Sequence, residues 1–281
     1  MESKINRITD ILRRDDGISG AMMYTEQISW ILFLKFLSDL EDAKADEALL
    51  IGQEYTYILD DKFKWSNWAC PKKDGKIDLI NAKSGEDLLE FTNKELFPYL
   101  KGFKSITQDP KSIKYKIGAI FEYLDNRIAN GHTLREVLDI IDCLDFHNQA
   151  DLFQLSLIYE KLLKDMGSDG GNSGEFYTPR PLIKVIVDVL DPKVGQTIYD
   201  PAVGSCGFLI EAYNHIRYTD IKANKQRELS TEQLKFLNED TFFGNEKTPL
   251  SYVMGVMNMI LHGVESPNIA KANTLTKDIR G

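Results

Sequence analysis

The chain has 281 residues, 43% hydrophobic and 27% charged, enough to bury the core of one large domain or two ordinary ones. Its formal net charge of −9 argues against a chain that grips nucleic-acid phosphates alone, because that affinity comes mainly from Lys and Arg, so such a role would need a basic partner or a local basic face that the total hides. Cys70, Cys143 and Cys206 lie far apart, with no Cys-x-x-Cys or Cys/His cluster, so neither zinc nor a disulfide framework is expected.

The N-terminus, Met-Glu-Ser-Lys-Ile-Asn-Arg, carries no apolar signal region, and a cytoplasmic, reduced protein is expected. Residues 2–14 read as an amphipathic helix, with Ile5, Ile8, Ile11 and Leu12 on one face and Asp15-Asp16-Gly17 as its end. A second helix is expected from about Thr25 to Ala48. Its run around Ile28–Leu37 is too short, and too charged at its flanks, to span a bilayer. Being apolar nearly all round, it should be central and buried. Trp30 and Phe33 then read as core more readily than as a partner groove. In residues 53–80, Tyr55, Tyr57, Phe63, Trp65 and Trp68 alternate with Asp and Lys, and Pro71-Lys-Lys-Asp-Gly75 looks like a turn. Irregular structure with a small hairpin follows. Such aromatics can stack on bases, but they more often form a satellite core. Segments 86–100, 110–130, 133–143 and 148–165 return to helical spacing, so residues 1–166 form a mostly α-helical domain. His132, His147, His215 and His262 are scattered and are assigned no role.

Gly167-Ser-Asp-Gly-Gly-Asn-Ser-Gly174 has the composition of a flexible connection, and the second domain, 167–281, is expected to begin there. Pro179–Leu190 reads as a helix with Pro181 in its first turn. Gln196–Tyr199 is a strand and Phe208–Arg217 its helix. Ser230–Leu237 is another helical piece, Thr241–Glu246 a second strand, Pro249–Leu261 a helix, and Asn268–Leu275 a third strand with its loop. The alternation gives half of a doubly wound sheet.

The first strand ends in Asp200-Pro-Ala-Val-Gly204-Ser-Cys-Gly207-Phe-Leu. Glycines there let backbone approach a ligand, and the first helical N–H groups are free to bind it. The turn holds only Gly204-x-x-Gly207, one glycine short of the dinucleotide fingerprint, and lacks the P-loop ending. A nucleotide-dependent oxidoreductase is accordingly disfavoured. A carboxylate at a strand tip suits a cationic ligand such as S-adenosylmethionine. An ordinary strand-to-helix connection is the plain alternative. Glu246, at the second strand's tip, is placed to accept two ribose hydroxyls. A surface glutamate is its plain alternative.

Upstream lies Gly174-Glu175-Phe176-Tyr177-Thr178-Pro179-Arg180-Pro181. Together with Asp200–Phe208 it resembles the paired motifs of DNA adenine-N6 methyltransferases, most of all the modification (M) subunit of type I restriction–modification systems. That family's blocks read roughly Gly-x-Phe/Tyr-Phe/Tyr-Thr-Pro-Arg and Asp-Pro-Ala/Cys-x-Gly-Ser/Thr-x-Gly-Phe. Val203 and Cys206 depart slightly from its commonest residues. The resemblance implies an α-helical N-terminal domain followed by a partial α/β, Rossmann-like, S-adenosyl-L-methionine-dependent methyltransferase domain. It implies that Glu246 holds the cofactor's ribose and that Gly204, Ser205, Cys206 and Gly207 line its methionine end. Asp200 would fix the loop, and Glu175, Phe176, Tyr177, Thr178, Pro179 and Arg180 would close over the cofactor. Implied partners are a DNA specificity (S) subunit, a second M subunit, restriction (R) subunits and double-stranded DNA reached through the complex. No metal or membrane is called for. The family's Asp/Asn-Pro-Pro-aromatic tetrapeptide, which holds the flipped adenine, occurs nowhere in the 281 residues. The resemblance thus covers the helical domain and roughly three strands. No catalytic residue is assigned, and a fragment inactive by itself is expected. The alternative is a non-catalytic assembly module that docks the specificity subunit.

Overall fold

The computed structural model describes residues 2–78, 80–107, 109, 112–144, 146, 157, 159–165, 178–221, 225–264 and 267–276. The chain divides into two compact units. The first comprises Met1–Phe103 with Leu124–Ile158, and the second Lys104–Tyr123 with Tyr159–Gly281. The glycine-rich connection expected at 167–174 lies outside the described residues.

In the first unit, α1 (Glu2–Leu12) buries Ile5, Ile8 and Leu12, as its apolar spacing dictates. Helix α2 (Gly20–Leu50) is longer than expected. It takes in residues before Thr25, and Ala21 and Tyr24 there are buried. Its middle is buried on every side, with Trp30 and Phe33 in the core. Trp30 donates its indole N–H to Gln27 Oε1 at 2.8 Å, which spares the ring a buried orphan donor. The short α3 (Trp65–Trp68) seats both tryptophans in the core, and Phe63 stacks on Tyr99. The expected hairpin is present as β1 (Lys72–Lys73) and β2 (Lys76–Ile77), antiparallel. Asp74 and Gly75 turn it with φ of 53° and 75°, the left-handed pair that a two-residue hairpin needs.

Helix α4 (Gly85–Phe91) passes through a π-turn, Thr92–Leu96, into α5 (Phe97–Ile106). Helix α7 (Gly131–Asp142) starts at Asn130, whose side chain accepts from His132 N–H. The helix expected over 110–130 is shorter: α6, which belongs to the second unit, spans Ile113–Phe121. Beyond it, side chains take the amides of residues 127–130. Arg127 N–H goes to Gln27, Ile128 N–H to Asn126, and Ala129 and Asn130 N–H to the Asp15 carboxylate. Side-chain acceptors of this kind compete directly with the helical ladder.

In the second unit, residues 159–165 are helical and form α8. Then come α9 (Arg180–Leu190), β3 (Ile198–Asp200) and α10 (Gly207–Arg217). A small antiparallel pair, β4 (Tyr218–Asp220) and β5 (Lys225–Gln226), was not legible in the sequence. Its strands are too short and polar to alternate. It is held from outside its own pattern, by Arg227 N–H on Arg217 O and by the Arg217 guanidinium on Arg227 O, both at 2.8 Å. Helix α11 (Thr231–Glu239) opens with a reciprocal Ser230/Gln233 capping box. Strand β6 (Phe242–Glu246), α12 (Pro249–Leu261) and β7 (Asn268–Lys271) complete the unit. The three longer strands run in the order β3-β6-β7, all parallel, as the expected half of a doubly wound sheet. Helix α12 is buried from Ser251 to Leu261 and packs on α6 and α10.

Candidate functional site

The site grows from two adjacent strand ends. Asp200 pairs with Gly244 in the β3–β6 ladder, so Glu246 lies two residues further along β6. Both carboxylates fall at the carboxyl edge of a parallel sheet, where open α/β folds keep their ligand crevices. Residues 201–206 then turn the chain into α10. Gly204 (φ 52°) and Cys206 (φ 63°) are left-handed. Glycine adopts that shape freely, whereas Cys206 does so at a cost of about 1–2 kcal/mol. The turn is tied in place by Cys206 N–H on Val203 O at 2.7 Å and Val203 N–H on Asn245 O at 3.1 Å.

Glu246 clamps this turn. One carboxylate oxygen accepts Gly204 N–H at 3.0 Å and the other accepts Thr248 N–H, at the start of α12, at 2.7 Å. Asp200 Oδ1 accepts Ala202 N–H at 2.9 Å. Thr274, beyond β7, donates to Pro201 O. Three strand ends therefore hold one loop.

Glycine is required where neighbours press on it. A Cβ at Gly244 would overlap Val203, and one at Gly255 would sit 2.7 Å from Gly204 O and 2.8 Å from Cys206 Sγ. A Cβ at Gly207 would overlap the Arg180 guanidinium. This last contact brings the end of the upstream block onto the glycine turn. Arg180 is held there by Glu160 of α8, with Nε to Oε2 at 2.6 Å. Asn258 of α12 links the two by donating to Glu160 Oε1 and to Ser205 O, both at 2.9 Å. Thr178 and Pro179 are exposed beside α9. Glu175, Phe176 and Tyr177 lie outside the described residues.

Glu160 and Asn258 were missed by sequence reasoning. Asn258 had a faint signal, as a lone amide inside the apolar run of α12, where a buried polar group must find partners. Glu160 had none, since its partners stand 20 and 98 positions away.

Burial pushes the Asp200 carboxyl above its usual range, and the neighbouring Glu246 charge pushes the same way, against the Ala202 N–H that favours ionisation. The turn thus carries two neighbouring carboxyl groups, Asp200 and Glu246. Burial drives the Cys206 thiol well above its ordinary value, with Asp200 and Glu246 adding to it. Its sulfur faces Gly255 of α12, so Cys206 contributes backbone to the turn and not a nucleophilic thiolate. The arrangement suits a cationic ligand with hydroxyl groups. Among the described residues no His/Cys/Asp/Glu group could hold a metal ion, and no helix is long and apolar enough to cross a membrane.

Comparison with known proteins gives the chain's family. The family model for the HsdM N-terminal domain matches residues 1–151, and that for N-6 DNA Methylase matches residues 149–281. The Escherichia coli EcoEI methylase subunit of a type I restriction enzyme is 33% identical over 281 residues, covering 99% of this chain and 53% of its own length. The EcoKI methylase subunit of E. coli K12 is 28% identical, covering 94% and 43%. Among solved structures, a chain from Vibrio vulnificus YJ016 assigned as a type I modification subunit has a TM-score of 0.79 at 31% identity, covering 100% of this chain and 57% of its own. Another, from a study of complex assembly and conformational transition in the type I R–M system, gives 0.76 at 36% identity, covering 99% and 51%. The chain spans about half the length of the curated relatives it matches. The resemblance read from the two short blocks thus extends over the whole chain, which belongs to the family of type I restriction-enzyme methylase (modification) subunits.

Proposed function

We propose that the second unit binds S-adenosyl-L-methionine, and that the chain is the cofactor-holding part of an adenine-N6 DNA methyltransferase subunit. That subunit would act in the cytoplasm within a complex of a DNA specificity subunit, a second modification subunit and restriction subunits. It would reach double-stranded DNA through that assembly, which fits the net charge of −9. The observation that carries the reading is the Glu246 clamp on Gly204 beside Asp200 at the tips of parallel strands.

The residues present fit the cofactor. An ionised carboxylate offers about four lone-pair sites. Glu246 has committed two to backbone N–H groups and keeps the rest for ribose hydroxyls. Asp200 and Glu246 favour a cation at the turn. The backbone of Gly204–Gly207, with Ser205 and Cys206 between, would line the cofactor's methionine end at the start of α10. Thr178, Pro179 and Arg180, with Glu175, Phe176 and Tyr177 before them, would form the cover. Glu160 and Asn258 position Arg180. Bound there, S-adenosylmethionine would supply an activated methyl group. None of these residues is placed to hold the target amine, so the 281-residue chain by itself should transfer no methyl group to DNA.

Ultraviolet cross-linking with methyl-tritiated S-adenosylmethionine tests the assignment. Peptide mapping should place the label in 175–180, in 200–207 or beside Glu246. Label confined to the first unit, or displaced by NADH, would count against it.

A further inference from the structure

The segment Lys104–Tyr123 is distant in sequence from the rest of the second unit, yet it belongs to that unit. It falls inside the stretch matched by the HsdM N-terminal model, residues 1–151. Its helix, α6, buries Lys116 through Phe121 and packs on α12. Two contacts tie the segment to the ends of β7, an edge strand of the parallel sheet. Lys116 Nζ donates to Pro267 O at 2.8 Å, one residue before the strand begins. At the strand's last residue, Lys271 Nζ lies 4.7 Å from the centre of the Tyr123 ring. Tyr123 in turn sits edge-on to Tyr252 of α12, with ring centres 6.3 Å apart.

Lys116 is the telling residue. It is only 4% exposed, and among the described residues its ammonium meets a carbonyl and no carboxylate. Burial lowers it from 10.5 to about 8, with Asp109 opposing. Keeping a lone ammonium out of water is costly. A helix that only had to fill this space would do so with Met or Leu at no such cost. The ammonium instead fixes the start of a strand whose other end holds the glycine turn. Lys271 is laddered with Glu246, Ala272 N–H donates to Glu246 O at 2.9 Å, and Thr274 donates to Pro201 O. The placement of β7 is thus handed on to the residue that clamps Gly204 and to the start of the turn.

We propose that Lys116 and Tyr123 are positioning residues for the cofactor turn: a piece of the N-terminal region braces β7 at both ends and so keeps Glu246 and Pro201 in place. The effect on cofactor affinity rests on reading the second unit as the S-adenosylmethionine site, whereas the effect on the turn does not.

The test uses the 281-residue chain with Lys116→Met and, separately, Tyr123→Leu. Met nearly matches lysine in length but cannot donate, and Tyr123 is 37% exposed, so both variants should keep the circular dichroism and thermal midpoint. Without cofactor, amide exchange at Gly204 and Ala272, whose acceptors both belong to Glu246, should quicken about tenfold in each variant. Calorimetry should show S-adenosylmethionine binding about fivefold weaker or more. Faster exchange in the variants of a chain that binds no S-adenosylmethionine would refute the cofactor reading and still support the brace. Should Lys116→Met fail to fold, Tyr123→Leu decides. Unchanged exchange at Gly204 and Ala272, unchanged affinity in a chain that does bind, or a lowered midpoint with exchange quickened evenly across the unit would each overturn the proposal.

Discussion

Glu246 holds two chain segments with one carboxylate, Gly204 at the turn and Thr248 at the head of α12. Its position and that of Asp200 were legible, because a carboxylate closing a short apolar strand is visible in the sequence. Glu160 and Asn258 were not, because their roles depend on partners that only folding brings near. The cysteines give a sharp residue-scale test. Cys143 is exposed, while Cys70 and Cys206 are buried. Burial raises the Cys70 thiol to about 12 and lifts Cys206 well above its usual value. A thiol reagent should add once per native chain, at Cys143, and three times after denaturation, as read by mass spectrometry. Glu26 gives a pH test. Burial raises its carboxyl from 4.5 to about 7, with Arg127 opposing and Asp125 adding. Between those values the folded state holds a proton that the unfolded state has lost, so stability falls as pH rises and the loss is complete above about 7. Glu26→Gln should therefore stabilise the chain by about 2–3 kcal/mol at pH 8 and by almost nothing at pH 4. Equal gains at both pH values in urea titrations would refute the assignment.

At the scale of elements, the long apolar patterns read well and the interruptions did not. Helices α1, α2, α7, α9 and α12 follow from apolar spacing and end signals. The loss of helix beyond α6 was hidden, because Gln27 accepts the Arg127 amide and Asp15 those of Ala129 and Asn130, all from more than ninety positions away. The β4–β5 pair was hidden because it rests on Arg217 rather than on alternation. Two substitutions probe the elements around the site. Gly255→Ala gains up to about 1 kcal/mol of helix propensity. It must also push α12 off Gly204 O and Cys206 Sγ, and the net loss should be about 1–2 kcal/mol by denaturant titration, since overpacking costs 1–3. Ser230→Ala removes the α11 capping box and should cost about 1 kcal/mol without touching the turn.

Over the whole molecule, the order of a helical part followed by a parallel α/β part was legible from periodicity, and the family from two short blocks. Sequence did not reveal that Lys104–Tyr123 packs with the second unit, since helical spacing there looks like that of its neighbours. Nor did it reveal that α9 would keep a bare face, because an apolar helix reads as core until its neighbours are known. The most direct measurement is calorimetric titration of S-adenosylmethionine into the 281-residue chain and its Glu246→Gln variant. The account predicts one site per chain in the unsubstituted protein, at least tenfold weaker binding in the variant, and no response to NADH. Equal affinity in the two proteins, or no binding to either, would contradict it.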